Sequence, residues 1–322
     1  MAQQTRPISL FKSYLVTPDE LSFALTKNVP TKISTAPRII PLCASWFLPN
    51  DPQKRTGQQV FRESRIPTAR FFDLDAVKDH DSPYPHMLPT AEEFAKAMQE
   101  LGIRKDDEVV IYDSKELGIF SAPRVGWTFR VFGHSSVHVL NNYRLWVERD
   151  FPTESGEPQP VQNEQLSEYP VPSINPEMVV KFAEVKDIAK DYGKEGAEGI
   201  QILDARPRGR WAGIAPEPRQ GLSSGHIPGS ISVPHSELLD PKTGALLSGE
   251  ELRKIFERKG LDPKKPIISS CGTGVTAAVI DTALGEAGWG EADDRRLYDG
   301  SWTEWAQRLK ESDRLIRKEG ED

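Results

Sequence analysis

The sequence predicts an α/β protein of two related units, each a parallel sheet flanked by helices on both faces. Three observations carry that expectation. The chain has 322 residues, too many for one domain of about 100–200 residues. Short apolar strands alternate along it with amphipathic helices, the pattern of a parallel sheet with crossover helices. Ordered local signals also recur at a nearly constant spacing, the mark of an internal repeat.

Taken in order, Thr17-Pro18-Asp19-Glu20 predicts a helix start, with Thr as N-cap and Pro in the first helical position. Asn175-Pro176-Glu177 repeats that signal 158 residues later. The apolar run Ile39-Ile40-Pro41-Leu42-Cys43 predicts a buried strand in which Cys43 is structural. Arg65-Ile66-Pro67-Thr68-Ala69 matches His226-Ile227-Pro228-Gly229-Ser230 at an offset of 161. Thr90-Ala91-Glu92-Glu93 and Ser248-Gly249-Glu250-Glu251 are capping boxes, again 158 apart. Each opens a helix that stops at a glycine, Gly102 or Gly260, and each is followed by an apolar strand. Those strands end at Asp113 in the first unit and at Cys271 in the second. Between the units, a stretch rich in Pro, Glu, Gln and Ser predicts a linker. The expected division is therefore 1–150, a linker at 151–173, and 174–322.

Composition excludes several functions. The formal charge is -7 and no basic block offsets it, which argues against a nucleic-acid partner. No apolar run reaches the ~18 residues of a membrane helix. Two cysteines rule out a disulfide scaffold and a thiolate metal site. His134 and His138 are four apart, but their valine-rich surroundings predict a strand and no third ligand is evident, so no metal is expected. The N-terminus lacks the apolar core of a secretory signal, and its first eighteen residues hold Arg6, Lys12 and no acid. A cytoplasmic protein is expected, with a mitochondrial one left open.

The chemistry concentrates in Pro266-Ile267-Ile268-Ser269-Ser270-Cys271-Gly272-Thr273-Gly274-Val275-Thr276-Ala277. A buried strand ends at Cys271, where ligands bind in an open α/β sheet. A tight loop with two glycines follows, then a helix. Glycines let successive N–H groups turn inward as an anion nest, and the helix N-terminus adds partial positive charge. Both favour a thiolate. Two competing motifs fail. Gly272-Thr273-Gly274-Val275-Thr276-Ala277 fits a dinucleotide fingerprint, with Asp293 near the expected spacing, but only 45 residues follow Ala277, too few for such a domain. A cysteine phosphatase places Arg six residues after its Cys; here that residue is Ala277.

Cys271-Gly272-Thr273-Gly274-Val275-Thr276-Ala277 resembles the active loop of the tandem-domain rhodanese sulfurtransferases, within them the 3-mercaptopyruvate branch. The resemblance covers most of the chain. It includes Phe71-Phe72-Asp73-Leu74-Asp75, His86-Met87-Leu88-Pro89 and Phe120-Ser121-Ala122-Pro123-Arg124-Val125 in the first unit. In the second it includes Asp204-Ala205-Arg206, Gly209-Arg210-Trp211, Pro216-Glu217-Pro218-Arg219, Gly225-His226-Ile227-Pro228-Gly229 and Tyr298-Asp299-Gly300-Ser301-Trp302. The resemblance implies two rhodanese-like domains, the first catalytically degenerate with Asp113 at the cysteine position. It implies Cys271 as nucleophile, Thr273 as the hydroxyl beside it, and Asp75 and His86 as groups sent from the first domain for proton handling. Arg210 and Arg219 are implied to hold the substrate, lined by Gly272, Gly274, Val275 and Thr276. No cofactor and no metal are implied.

The expected reaction moves sulfur from 3-mercaptopyruvate through a Cys271 persulfide to a thiol acceptor such as thioredoxin or a sulfur-relay protein, releasing pyruvate. A thiosulfate-preferring enzyme and a sulfur carrier for tRNA thiolation stay open. Three departures from the family pattern fall in the first unit: Cys43 where Asp is common, Gly126 before Trp127 where paired Trp is common, and Asn141-Asn142 where a Gly-Gly turn is common. Asn tolerates left-handed backbone, so that turn is expected to survive. His226 is expected to cap its own turn.

Overall fold

The computed structural model describes residues 9–27, 37–159 and 168–320. Strands β1 (Leu15–Val16), β2 (Ile39–Cys43), β3 (Arg70–Phe71), β4 (Glu108–Tyr112) and β5 (Val137–Leu140) form one parallel sheet in the order β1-β5-β4-β2-β3. Strands β6 (Val179–Val180), β7 (Gln201–Asp204), β8 (Ile231–Ser232), β9 (Ile267–Ser270) and β10 (Arg295–Tyr298) form a second, in the corresponding order β6-β10-β9-β7-β8. Strands β2, β4, β5, β7 and β9 are buried throughout, as parallel strands covered on both faces must be.

The first sheet carries α1 (Pro18–Lys27), α2 (Gly57–Glu63), α3 (Ala91–Glu100), α4 (Ala122–Val131) and α5 (Tyr143–Glu148). The second carries α6 (Phe182–Asp191), α7 (Arg208–Trp211), α8 (Gly249–Arg258), α9 (Ala277–Glu286) and α10 (Ser301–Arg308). Both capping boxes form as the sequence predicts. Thr90 and Ser248 each accept from the third helical N–H while Glu93 and Glu251 reach back. The helices end where Gly102 and Gly260 adopt positive φ.

Two expectations need correction. Asn175-Pro176-Glu177 does not start a helix: it forms a short 3-10 turn, and α6 begins only at Phe182. The intervening Val179–Val180 pairs with β10 as an edge strand, which sheet pairing favours over the local start signal. Nor does the Asn141-Asn142 turn use left-handed backbone. Its peptide is cis, neither residue has positive φ, and Asn142 caps α5 by accepting from Leu145 N–H. These side chains serve the contact between the units. Asn141 exchanges hydrogen bonds with the Leu246 backbone, and Asn142 donates to the Thr243 carbonyl at 3.0 Å.

The described ends of the expected linker are packed. Glu154 pairs with Arg65, and Tyr169 is buried against Phe94 and His134. Residues 160–167 lie outside the described residues. One apolar core runs from Phe94 and Phe129 of the first unit to Ala278 and Leu284 of the second. Helices α4 and α9 meet across that boundary. Among the described residues no helix is long and apolar enough to cross a membrane.

Candidate active site

Strand order reverses beside β9, so the β9 carboxyl end opens at the topological switch of the second sheet. Cys271 is the next residue, only 2% exposed. The segment after β10 holds it there. Cys271 N–H donates to the Ser301 hydroxyl at 3.1 Å, and its carbonyl accepts from Trp302 N–H at 2.9 Å. The Gly272 carbonyl accepts from both the N–H and the hydroxyl of Thr303. With these carbonyls taken, six successive N–H groups, Gly272 to Ala277, have no acceptor among the described residues. Such a run of free donors ahead of a helix is an anion site awaiting its anion. One glycine is close-packed and the other is required sterically. A Cβ at Gly272 would meet Arg210 Nη2 at 3.3 Å, and one at Gly274 would meet Arg124 Nη1 at 2.7 Å and the Asp299 carbonyl at 2.8 Å. Gly274 also has φ +76°.

The first unit shows the same place filled. Asp113 follows β4 as Cys271 follows β9, and its carboxylate accepts from the N–H groups of Phe120, Ser121 and Ala122 at the start of α4. The Ser121 hydroxyl adds a bond of 2.5 Å. Burial nevertheless pushes this carboxyl up to about 6.

The first unit also reaches across to the Cys271 loop. His86 Nδ1 lies 3.1 Å from the Thr273 hydroxyl, and His86 Nε2 lies 3.1 Å from Asp75 Oδ1. Trp46 Nε1–H donates to Asp75 Oδ2 at 2.9 Å and sets its ring edge against the imidazole at 4.5 Å. A carboxylate only accepts, so Nε2 carries the hydrogen and Nδ1 offers its lone pair to Thr273. Burial lowers the His86 pKa; Asp75 opposes this, while Arg124 and Arg219 reinforce it. The bond from His86 lowers the pKa of the half-exposed Asp75 in turn. Burial wins at His86, so the imidazole is neutral near pH 7. Its backbone sits at φ +62°, held there by Arg124, which donates to the His86 carbonyl and to Asp299 Oδ1, each at 2.5 Å.

The sequence-predicted arginines sit on the opposite wall. Arg210 lies over Gly272 but is already engaged: Nε and Nη2 both bond Glu217, which also accepts from Arg206. Arg206 in turn pairs with Asp204 and lies over the Trp302 ring at 4.0 Å. Arg219 is half-buried and makes no hydrogen bond or ion pair among the described residues. Burial, then its neighbour Arg210, lowers its pKa, while Cys271, Glu217 and Asp75 act in the other direction. Among the described residues, the free cation facing the loop is therefore Arg219, with Arg210 preset beside it by Glu217.

All the sequence-predicted residues thus converge on one cleft: Cys271, Gly272, Thr273, Gly274, Val275 and Thr276 in the loop, with Asp75, His86, Arg210 and Arg219 around it. Sequence reasoning gave no role to Arg124, Asp299, Trp46, Glu217 or Ser301. Four of these lie inside motifs it quoted, and that was the only available signal. His226 packs inward from its turn. It stacks on Trp211 at 4.0 Å and meets the Trp211 carbonyl at 2.9 Å, steadying the Arg210 segment. A cavity of about 830 Å³ beside α6, lined by Asp187, Asp191 and Tyr192, lies apart from this cleft.

A cysteine set in free amides at the end of a central parallel strand, in the second of two like units, defines the rhodanese class. A family model described as "Rhodanese-like domain" matches residues 185–308. The chain is 41% identical to "Probable 3-mercaptopyruvate sulfurtransferase" of Schizosaccharomyces pombe, over 92% of this chain and 97% of the relative. It is 42% identical to "Thiosulfate sulfurtransferase TUM1" of Saccharomyces cerevisiae, over 83% and 88%. The crystal structure of the Tum1 protein from Saccharomyces cerevisiae superposes with a TM-score of 0.83 at 37% identity, covering 97% of this chain and 99% of that one. The chain belongs to the tandem-domain rhodanese family of 3-mercaptopyruvate and thiosulfate sulfurtransferases.

Proposed function

We propose that this sulfurtransferase takes the sulfur of 3-mercaptopyruvate onto Cys271 and passes it from the persulfide to a thiol acceptor. The observation that carries the reading is the run of free N–H groups from Gly272 to Ala277 beside Cys271. The substrate carboxylate pairs with Arg219, and Arg210 bonds the adjoining carbonyl. The neutral His86 takes the substrate thiol proton through Thr273. The Cys271 thiolate attacks the substrate sulfur, the S–S bond forms as the C–S bond breaks, and the electron pair leaves as the enolate of pyruvate. The proton held on His86 returns through Thr273 to that carbon. Loop amides hold the persulfide, and preorganised donors of this kind contribute ~3–4 kcal/mol each to a transition state. A small thiol, thioredoxin or a sulfur-relay protein then removes the outer sulfur. The cytoplasm or mitochondrion suits this chemistry, because a free cysteine persists where thiols stay reduced.

Charge favours mercaptopyruvate over thiosulfate. Four guanidinium groups, of Arg124, Arg206, Arg210 and Arg219, face the three carboxylates of Asp204, Glu217 and Asp299. The surplus of one positive charge, reduced further by half-exposed Asp75, suits a monoanion and not a dianion. Side-by-side kinetics are the test. We expect kcat/KM for mercaptopyruvate to exceed that for thiosulfate at least about a hundredfold, some 2.7 kcal/mol. Equal use of both donors would sink the substrate assignment. Transfer to a protein acceptor with no turnover to small thiols would favour the carrier role.

A further inference from the structure

Helices α4 and α9 carry the Cys271 cleft at one end and a second pocket at the other. Helix α9 starts directly after the loop and ends among Asp281, Gly285 and Glu286. Helix α4 bears Arg124, which clamps His86 and Asp299, and six residues later Arg130, about 9 Å further along the axis. There, between the two units, Tyr14, Arg130, Asp281, Glu286 and Arg295 are among the residues lining a pocket of about 540 Å³. Clefts between domains are common places for small ligands.

The lining is set up for an anion. Arg130 crosses the boundary to Asp281 at 2.8 Å through Nη1, and stacks over the Tyr14 ring at 5.2 Å. The Arg295 side chain is half-buried and makes no hydrogen bond or ion pair among the described residues. Its Nε is fully buried without a partner, so its terminal amino groups are left to take one. The Tyr14 hydroxyl is also buried and lies beside Arg130 without hydrogen-bond geometry. It occupies space that exists because residue 126 is glycine: a Cβ there would come within 2.2 Å of it. The Gly126 departure thus shapes the floor of this pocket.

Charge balance selects the ligand. Arg130 and Arg295 are matched by Asp281 and the exposed Glu286, so the lining is neutral overall. A dianion would gain from two guanidinium groups and lose to two carboxylates. A planar monoanion can use the free fork of Arg295 alone. We propose that this interdomain pocket is a second, non-catalytic site for a small monocarboxylate, held by Arg295 with Arg130 beside it.

Calorimetric titration of acetate into the full chain tests this. The wild-type chain should bind one more acetate than its Arg295→Gln variant. In a chain with Arg210→Ala and Arg219→Ala, which silences the carboxylate site beside Cys271, one saturable site should remain. Arg295→Gln in that background should weaken it at least about tenfold. Gly285→Leu should do the same by filling space, since its Cβ points at the Arg295 guanidinium from an ordinary 3.5 Å. Sulfate and phosphate should bind at least about tenfold more weakly than acetate. The proposal is overturned if the Arg210→Ala, Arg219→Ala chain shows no saturable acetate binding, or if binding survives both Arg295→Gln and Gly285→Leu. Sulfate binding as tight as acetate would overturn the monocarboxylate class.

Discussion

Asp75→Asn alters one end of the hydrogen-bond line that terminates at Thr273. Asp75 Oδ2 accepts from Trp46 Nε1–H at 2.9 Å and Oδ1 faces His86 Nε2 at 3.1 Å. The indole can only donate, so an asparagine turns its oxygen to Trp46 and its NH2 to the imidazole. Nε2 must then accept, the ring hydrogen moves to Nδ1, and the Thr273 hydroxyl meets a donor where it had an acceptor. A lost hydrogen bond to a charged group is worth ~1.5–3 kcal/mol. The Asp75 side chain is 60% exposed, so solvent screens part of this. We expect kcat/KM to fall by about 10–30-fold. Single-turnover release of pyruvate measures it, with iodoacetamide alkylation of Cys271 as the control that should change little. The pH profile adds an independent sign. Activity requires neutral His86, so it holds above the His86 pKa and is lost as pH falls through it. Burial lowers that pKa below the ordinary 6.5 and Asp75 raises it. Removing the Asp75 charge therefore moves the acid limb to still lower pH while the plateau drops. A plateau within twofold of wild type, or an acid limb shifted upward, would refute the relay.

Three further outcomes follow from the cleft. Cys271→Ser should abolish transfer while Cys43→Ser retains it, because the Cys43 thiol is pushed up to about 12 by burial and lies against Ser45 at 3.3 Å; the pyruvate assay on both variants decides. Arg219→Ala should cost ~1.5–3 kcal/mol in kcat/KM with little change in melting temperature. Arg210→Ala should lower both, since it strips one partner from buried Glu217, and a thermal melt of each variant separates the two. Arg124→Gln should destabilise the chain by ~3–5 kcal/mol by leaving Asp299 buried without its cation, read by urea unfolding.

The strands, the capping boxes and the Cys271 loop were legible because each is written in a contiguous stretch. Thr90 to Glu93 satisfies its own donors, and apolar Ile267-Ile268 leads into the two serines and the functional turn. The edge strand Val179–Val180 was hidden because two residues carry no period; only pairing with β10 makes them a strand. The cleft was legible as a set of residues but not as a circuit. Glu217 presets Arg210 seven residues away, and Arg124 reaches Asp299 across 175 positions. No local pattern encodes such partners. The tautomer of His86 was not legible in sequence. It depends on Asp75 facing Nε2 and on burial keeping the ring neutral, which leaves the Nδ1 lone pair toward Thr273.

The two units give an internal comparison of what an anion needs at this strand end. In the first, Asp113 receives three backbone N–H groups and a serine hydroxyl, a generous set of donors. Such bonds favour the charged form, and several of them can take a carboxyl well below its usual range. Here the carboxyl is pushed up to about 6, so burial outweighs four hydrogen bonds. The donors at this strand end therefore offset the cost of burying the charge only in part. In the mechanism we propose, the second unit stabilises a thiolate, then a persulfide, then an enolate in the equivalent place. For that it offers a guanidinium at Arg219, unpaired among the described residues, and a second at Arg210 laid over Gly272. The loop can then stay free of cationic side chains. That keeps Gly272 and Gly274 small enough for Arg210 and Arg124 to approach, and ties the absence of charge inside the loop to its presence around it.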